Sequence, residues 1–452
     1  MQVTRIELPP MPEPVQVCLQ RLRDAGGRGW LVGGAVRDLL QGGNPDDFDL
    51  ASDLPPQQLA RALPNAELRE AALGTCRTSI GGCELTVTTL RAEAGYRDQR
   101  RPDEVEFVTD VAVDAKRRDF TVNALYFDPQ TSELLDPEGG QADLQASILR
   151  TIGEPVRRFQ EDPLRLLRLV RFAASANLQI EPATADAARA CAGEVASLSA
   201  ERIYAELTNA FTGPGRGRAL GLLVELGLAD VLLPEISAMD GVEQPPQYHP
   251  EGDVLVHVKM VLDNVPANDP VLAWSAVLHD VGKPPTFRVA EDRIRFDGHD
   301  TLSAKMAEQI LLRFKAPKAL RQRVVDVCLQ HIRFAALPQM RPVRAERWLR
   351  DPDFPLHLAF HRADCLASHG KLEIHAFAER ALRELPPLVE PLLHGKDVLA
   401  LGIKPGRQVG QLLQSVQAQL DEAPVAPTRE QALVLLRDEV ERLLQGPDDC
   451  AR

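Results

Sequence analysis

Two stretches of this 452-residue chain set residue types at spacings that chemistry uses. Residues 31–53, LVGGAVRDLLQGGNPDDFDLASD, pack a glycine pair, an arginine and several carboxylates together. Gly33-Gly34 falls between a short strand over Gly29–Val32 and a helix expected over residues 35–40. Glycine lets backbone N–H groups approach an oxyanion, and a helix N-terminus adds a favourable dipole. By itself such a pair is usually a turn. Asp47, Phe48, Asp49 and Leu50 then alternate polar and apolar. On a strand this puts both carboxylates on one face. They repel there unless they share a hard cation such as Mg²⁺, which takes oxygen ligands and bridges substrate phosphates. Paired ions of this kind activate an attacking hydroxyl and stabilise a departing pyrophosphate. A solvated acidic turn at NPDDFD is the competing reading.

The second stretch is longer. EGDVLVHVKMVL supplies His257, AWSAVLHDVGKP the adjacent His279 and Asp280, FDGHDTLSA His299, CLQHIRF His331 and HRADCLASHG Asp364. Imidazoles and carboxylates at helix ends ligate divalent transition metals. A lone histidine on an apolar helix is usually a core residue, whereas this ordered set points to a metal centre.

Residues 161–172, EDPLRLLRLVRF, carry a third pattern. Asp162 followed by Pro163 is a helix start. Asp162, Arg165 and Arg168 are three apart and share a face, with Leu164, Leu167 and Leu169 turned to the core. This is either a capped helix with a surface ion-pair row or an edge of donors and acceptors offered to a ligand.

Those residues need elements to hold them. A helix over residues 15–29 should end at Gly26-Gly27. Residues 83–91 alternate and are rich in threonine and valine, and residues 124–127 are apolar, so strand and helix signals mix up to about residue 150. From Arg157 helical periodicity dominates, with breaks at 213–217 and 241–250. PTREQALVLLRDEVERLLQ near the C-terminus is amphipathic, with Thr428 and Glu430 near its start. The fold class is α+β: a mixed-sheet head followed by a mostly α-helical body.

The length exceeds one compact core and predicts two to four domains. With 44% hydrophobic and 26% charged residues the chain reads as globular. A net charge of −13 argues against a protein that coats nucleic acid indiscriminately. Residues 314–350 nevertheless hold nine Lys or Arg against Asp326 and Glu346. They form either a patch for a polyanion or a set of solvated helix faces. Seven cysteines without a C-x-x-C pair fit a reducing compartment. No signal core or long apolar run appears, so the expectation is a cytoplasmic protein with no membrane partner.

The segment around LVGGAVRDLL and DDFDLAS resembles the DNA polymerase beta-like nucleotidyltransferases, and within them the class II tRNA nucleotidyltransferase and bacterial poly(A) polymerase family. KRRDFTVNAL (116–125), DPEGGQADLQASILRTIGEP (136–155), EDPLRLLRLVRFAA (161–174) and LSAERIYAEL (198–207) continue the resemblance in the family's order. It implies that Asp47 and Asp49 ligate Mg²⁺, with Glu84 of CELTVTTLR as a third acid. Gly34 and Arg37 would hold the triphosphate. Arg118 would contact the nucleotide, supported by Asp119 and Asn123, since an arginine fork suits phosphate oxygens. Asp162 and Arg165 would read the base. Cytosine and adenine both offer an amino donor beside a ring-nitrogen acceptor, whereas guanine and uracil present the opposite pattern. Arg168 would support the triphosphate or ribose.

The implied activity is template-independent transfer of CMP and AMP from CTP and ATP to a tRNA 3′ end, releasing pyrophosphate. Addition of A only and poly(A) synthesis are its alternatives. Residues 91–110 supply a segment that CC-only members lack. The implied layout is a head over 1–150, a neck over 151–240, an HD domain over 241–375 and a tail over 376–452, with Lys404 and Arg407 near a tRNA contact. The histidine set resembles the HD phosphohydrolase superfamily. That implies a divalent transition metal and hydrolysis of phosphomonoesters or 2′,3′-cyclic phosphates, and leaves open a phosphohydrolase with a nucleotide-sensing head.

Overall fold

Alternating and fully apolar strands assemble one mixed sheet in the computed structural model, which describes residues 1–45, 47–95, 104–291, 293–385, 391–423 and 427–445. Its strands are β1 (Gln2–Arg5), β2 (Gly29–Val32), β3 (Asp49–Ser52), β4 (Glu67–Glu70), β5 (Thr75–Ile80) and β6 (Cys83–Thr89), then, after a separate hairpin of β7 (Arg91–Ala94) and β8 (Glu104–Phe107), β9 (Tyr126–Asp128) and β10 (Glu133–Asp136). The order across the sheet is β1-β10-β9-β2-β3-β6-β5-β4. The central strands β2 and β3 run antiparallel, and β3 pairs in parallel with β6, Asp49 facing Thr86. Both sheet faces are covered at the centre, so β2 reads as a continuous apolar run. Leu31, Leu50, Leu85 and Val87 pack with the helices Glu13–Asp24 and Gly34–Leu40. Trp30, Val32 and Ala51 pack on the other face with Val111 and Ala115.

The first helix stops where glycine allows it. Gly26 takes φ 85°, its amide donates to the Arg23 carbonyl at 2.8 Å, and the Gly27 amide reaches the Leu22 carbonyl at 3.0 Å. This pair of bonds closes the helix C-terminus. The middle of the polar segment expected over residues 91–110 lies outside the described residues; its flanks are β7 and β8.

Beyond Pro155 the chain is helical apart from short strand pairs. It forms two compact units, residues 1–332 with 359–371, and residues 333–358 with 372–452. Residues 333–358 fall within the span read from sequence as the histidine-bearing domain, yet they pack into the second unit. There Phe334, Leu337, Trp348, Leu349 and Phe354 make an apolar cluster with Ala378. The tail helices Arg407–Asp421 and Arg429–Gln445 pack through Leu412, Val416, Leu436 and Val440. The start of the last helix is fastened by Gln431, whose side chain accepts from the Thr428 amide at 2.9 Å, rather than by Glu430.

The basic run over 314–350 is largely consumed internally. Lys315 pairs with Glu201 at 2.7 Å, and Arg350 with Glu346 at 2.8 Å. Arg344 pairs with Glu422, and Arg347 with Asp421. These pairs favour the solvated-face reading of that run over a polyanion patch. Among the described residues no helix is long and apolar enough to cross a membrane.

Candidate functional site

A cleft of about 610 Å³ opens beside the sheet centre. Gly33, at φ 70°, turns the chain from β2 into the helix Gly34–Leu40, a backbone conformation that favours glycine. Gly34 and Arg37 line the cleft from that helix, and Asp47 and Asp49 from the start of β3. The strand begins only at Asp49, but the alternation holds: Asp47 and Asp49 are exposed, while Leu50 is buried and Phe48 packs against the core. Neither carboxylate has a hydrogen-bond or ion-pair partner among the described residues. Surrounding protein pushes the Asp49 carboxyl above its ordinary value, with Asp47 adding and Arg118 and Arg168 opposing. Two unpartnered acids on one face suit a hard divalent cation.

Glu84 is not brought to them. It sits on β6 opposite Ser79, exposed and outside the cleft lining. The residue in register with Asp49 is Thr86. Two residues along a strand move a side chain by roughly 6–7 Å, so Glu84 is out of step with Asp49, and it does not join the acid pair in the cleft lining.

Among the described residues seven arginines line the cleft: Arg37, Arg91, Arg117, Arg118, Arg165, Arg168 and Arg171. Arg91, Arg117 and Arg171 were not read from sequence, although Arg117 stands in the RRD motif itself. Much of their placement comes from Asp114, which sequence reading also missed. This fully buried carboxylate accepts from Arg117 Nε at 2.8 Å, the Arg91 amide at 3.0 Å and the Tyr126 hydroxyl at 2.5 Å, and lies 3.3 Å from Arg118 Nε. Asp119 holds Arg168 Nε at 2.8 Å and accepts from the Asn123 amide at 3.1 Å, and Asn123 Oδ1 accepts from Arg37 at 3.0 Å.

Asp162 and Arg165 both line the cleft but do not pair with each other. Pro163 holds the cap position of the helix Leu164–Ser175; Asp162, just before it, accepts from the Leu164 amide at 3.2 Å, and its ion-pair partner is Arg202 at 3.1 Å. Arg165 donates to the Arg158 carbonyl at 2.8 Å. Leu166, Leu167, Leu169 and Val170 are buried, while Leu164 is only half-buried.

Burial disfavours the charges on Asp114 and Asp119. Arg117 and Arg118 outweigh it at the first and Arg168 at the second, and both carboxyls fall to about 2. A carboxyl held below its unfolded value contributes stability above about pH 4, lost as pH falls toward its folded value. For Asp114 this is about 2 kcal/mol. Wild type should therefore melt progressively lower between pH 5 and pH 2, and Asp114→Asn should show a shallower fall from a lower start. Circular dichroism melts check both.

In the same unit a second pocket of about 430 Å³ contains His257, His279, Asp280, His299, His331 and Asp364, all six of the ordered set. Asp280, 1% exposed, is their centre. Its oxygens lie 3.7 Å from His257 Nε2, 3.2 Å from His279 Nε2, 3.5 Å from His299 Nε2 and 3.8 Å from His331 Nε2. Asp364 Oδ1 is 3.1 Å from His257 Nε2. Three Nδ1 atoms face backbone carbonyls three residues earlier: His279 on Ala276 at 2.9 Å, His299 on Phe296 at 2.8 Å and His331 on Cys328 at 2.7 Å. His257 Nδ1 lies 2.8 Å from Glu251, which also meets His249 at 2.8 Å. Every Nε2 is thus turned inward, as metal-ligating imidazoles are when their other nitrogen is fixed.

Neither Asp280 oxygen accepts a well-directed hydrogen bond, though Lys283 Nζ lies 2.7 Å from Oδ2. The donors group as His257, His279 and Asp364, and as Asp280, His299 and His331. Both sets fit a divalent cation. Burial pushes His331 down to about 4, whereas Asp364 and Glu251 overcome burial at His257 and hold it up at about 9. Glu251 and His249 escaped sequence reading; the only signal was their nearness to His257 in YHPEGD.

Comparison with known proteins assigns the regions that hold the two pockets to known domain families. Residues 29–150 match the family model for the poly A polymerase head domain, residues 177–239 a probable RNA- and SrmB-binding site of polymerase A, and residues 253–367 the HD domain. An A-adding tRNA nucleotidyltransferase of Deinococcus radiodurans is 36% identical over 414 residues, covering 85% of this chain and 90% of that protein. A CCA-adding enzyme of a Geobacillus species is 38% identical over 221 residues, 48% of this chain and 54% of that one. The crystal structure of the Bacillus stearothermophilus CCA-adding enzyme in complex with CTP superposes with a TM-score of 0.65 at 25% identity, over 96% of this chain and 100% of that chain. With this head, this HD region and a relative alike along nearly its whole length, the chain belongs to the class II tRNA nucleotidyltransferase and poly(A) polymerase family.

Proposed function

We propose that this protein adds CMP and AMP, from CTP and ATP, to the 3′ end of tRNA without a nucleic-acid template. The observation that carries the reading is the cleft, where unpartnered Asp47 and Asp49 share one space with Asp162, Arg165 and an arginine lining. Gly34, Arg37, Arg118 and Arg168 bind the triphosphate, and Asp119 and Asn123 hold Arg168 and Arg37 in place. Asp47 and Asp49 would hold Mg²⁺, which when bound supplies charge neutralisation at the reacting phosphate and the leaving pyrophosphate. Asp162 accepts from the base's amino group and Arg165 donates to its ring nitrogen, so guanine and uracil leave buried groups unpaired. Arg165→Ala is expected to narrow the preference for CTP and ATP over GTP and UTP by about tenfold or more, measured as kcat/KM ratios.

A second reading, addition of A only, draws on the near full-length likeness to the Deinococcus radiodurans protein. Primer extension separates the two. The tRNA substrates end at the discriminator base, after C, and after CC, each with CTP and ATP given singly and together. Complete CCA on the shortest substrate supports the first reading. A alone on the CC-ended substrate supports the second, and long A runs indicate a poly(A) polymerase.

The HD pocket reads as an accessory phosphohydrolase. His257, His279 and Asp364, with Asp280, His299 and His331, would hold divalent transition metal. Such an ion supplies a hydroxide nucleophile at neutral pH. Phosphomonoesters and 2′,3′-cyclic phosphates at RNA ends are the substrates that fit a trimming role before nucleotide addition.

A further inference from the structure

Phe172 carries no charge, yet it lines the arginine cleft. Its ring is the meeting point of three guanidinium groups. Arg171 stands 4.2 Å from the ring centroid, Arg168 5.0 Å and Arg37 5.2 Å. Two elements supply them: Arg37 comes from the helix Gly34–Leu40, and Arg168 and Arg171 from the helix Leu164–Ser175. Each has a second anchor. Arg37 donates to Asn123 and pairs with Asp38 at 2.7 Å, Arg168 pairs with Asp119 at 2.7 Å, and Arg171 meets Glu206 at 2.5 Å. The three carboxylates offset the mutual repulsion of the guanidinium groups, and the ring adds a shared attraction. An aromatic face attracts guanidinium planes without using their N–H groups, so those that Asp38, Asn123, Asp119 and Glu206 do not take remain for a ligand. In-plane edges are what phosphate oxygens accept from.

We propose that Phe172 is a positioning residue that gathers Arg37, Arg168 and Arg171 into one anion-binding fan for the triphosphate of the incoming nucleotide. The nucleotide part rests on the transferase reading above; the fan's affinity for a polyphosphate does not. Arg165 precedes Arg168 and Arg171 on the same helix, Asp162 stands just before that helix, and both face the base in that reading. The ring therefore acts on the phosphates alike for every nucleotide. A ring serving only as core packing, edge-on to Phe120 at 6.0 Å, would affect stability and leave phosphate affinity alone.

The test uses the full chain and inorganic tripolyphosphate as the probe, with calorimetry for binding and steady-state kinetics for addition. Phe172→Leu should weaken tripolyphosphate binding about tenfold and raise KM for CTP and ATP by a similar factor, with kcat within about threefold of wild type and the CTP-to-ATP ratio unchanged. Phe172→Tyr keeps the ring and should bind tripolyphosphate within about twofold of wild type. Arg171→Lys keeps the charge without the flat group and should weaken tripolyphosphate binding severalfold, which keeps the test open if the leucine variant does not fold. Wild-type tripolyphosphate affinity in Phe172→Leu, or in Arg171→Lys where the leucine variant does not fold, overturns the proposal. So does a tyrosine variant as weak as the leucine one. A wild-type chain that binds tripolyphosphate but adds no nucleotide removes the transferase reading and leaves the fan standing.

Discussion

Asp47→Asn and Asp49→Asn are each expected to abolish nucleotide addition, by ~10³-fold or more, because several kcal/mol of charge stabilisation at the reacting phosphate goes with either acid. The fold should not notice. Both side chains are exposed and neither has a partner to lose, so the melting temperature should stay within about 2 °C of wild type. Glu84→Gln makes the contrast. Its place across from Ser79, outside the cleft, predicts that most of the activity survives. Incorporation of labelled CMP and AMP, beside a melting curve for each variant, reads all of this. Wild-type incorporation in Asp47→Asn would remove the metal reading of the acid pair. A Glu84→Gln loss as deep as the aspartate variants' would restore it as a third acid.

The second large effect belongs to the histidine pocket. Asp280→Asn should eliminate hydrolysis of 2′,3′-cyclic AMP and of phosphomonoesters, and lower bound transition metal as measured by elemental analysis. Among the described residues Asp280 is the one carboxylate within 4 Å of all four imidazoles, so no described neighbour replaces it. Nucleotide addition should continue at the wild-type rate, because none of its cleft residues lines this pocket. The exchange has a structural cost. Lys283 is buried against Asp280, and losing its counter-charge should destabilise the fold by about 3 kcal/mol. Hydrolysis that persists in the variant would refute the assignment of the pocket. A wild-type chain that holds metal and hydrolyses neither ester would assign the centre to structure alone.

Much of both sites was legible because short-range patterns carry it. The Gly33-Gly34 turn, the Asp47-Asp49 alternation and the helix start at Asp162-Pro163 are decided within a few residues and are present in three dimensions, with Pro163 rather than Asp162 at the cap position. The six HD residues were readable for another reason, since their types alone are costly to bury without a shared purpose. What stayed hidden depends on distant partners. Asp114 carried no local signal, and only the fold brings Arg91, Arg117 and Tyr126 to it. The basic run over 314–350 looked available for a polyanion because Asp421, Glu422 and Glu201 lie far away in sequence. Glu84 failed by strand register, which no single strand reveals.

The compensated basic run has a consequence for how the protein meets RNA. In a chain of net charge −13, Lys315, Arg344, Arg347 and Arg350 of the basic run are engaged in ion pairs, whereas seven arginines of the described residues gather in one cleft, which makes that cleft the main attraction for phosphate. Few counterions should leave the nucleic acid on binding, and affinity should fall only gently as salt rises. Such a protein has little reason to linger along the body of an RNA. It would find the last nucleotides of a strand, and release them, without sliding.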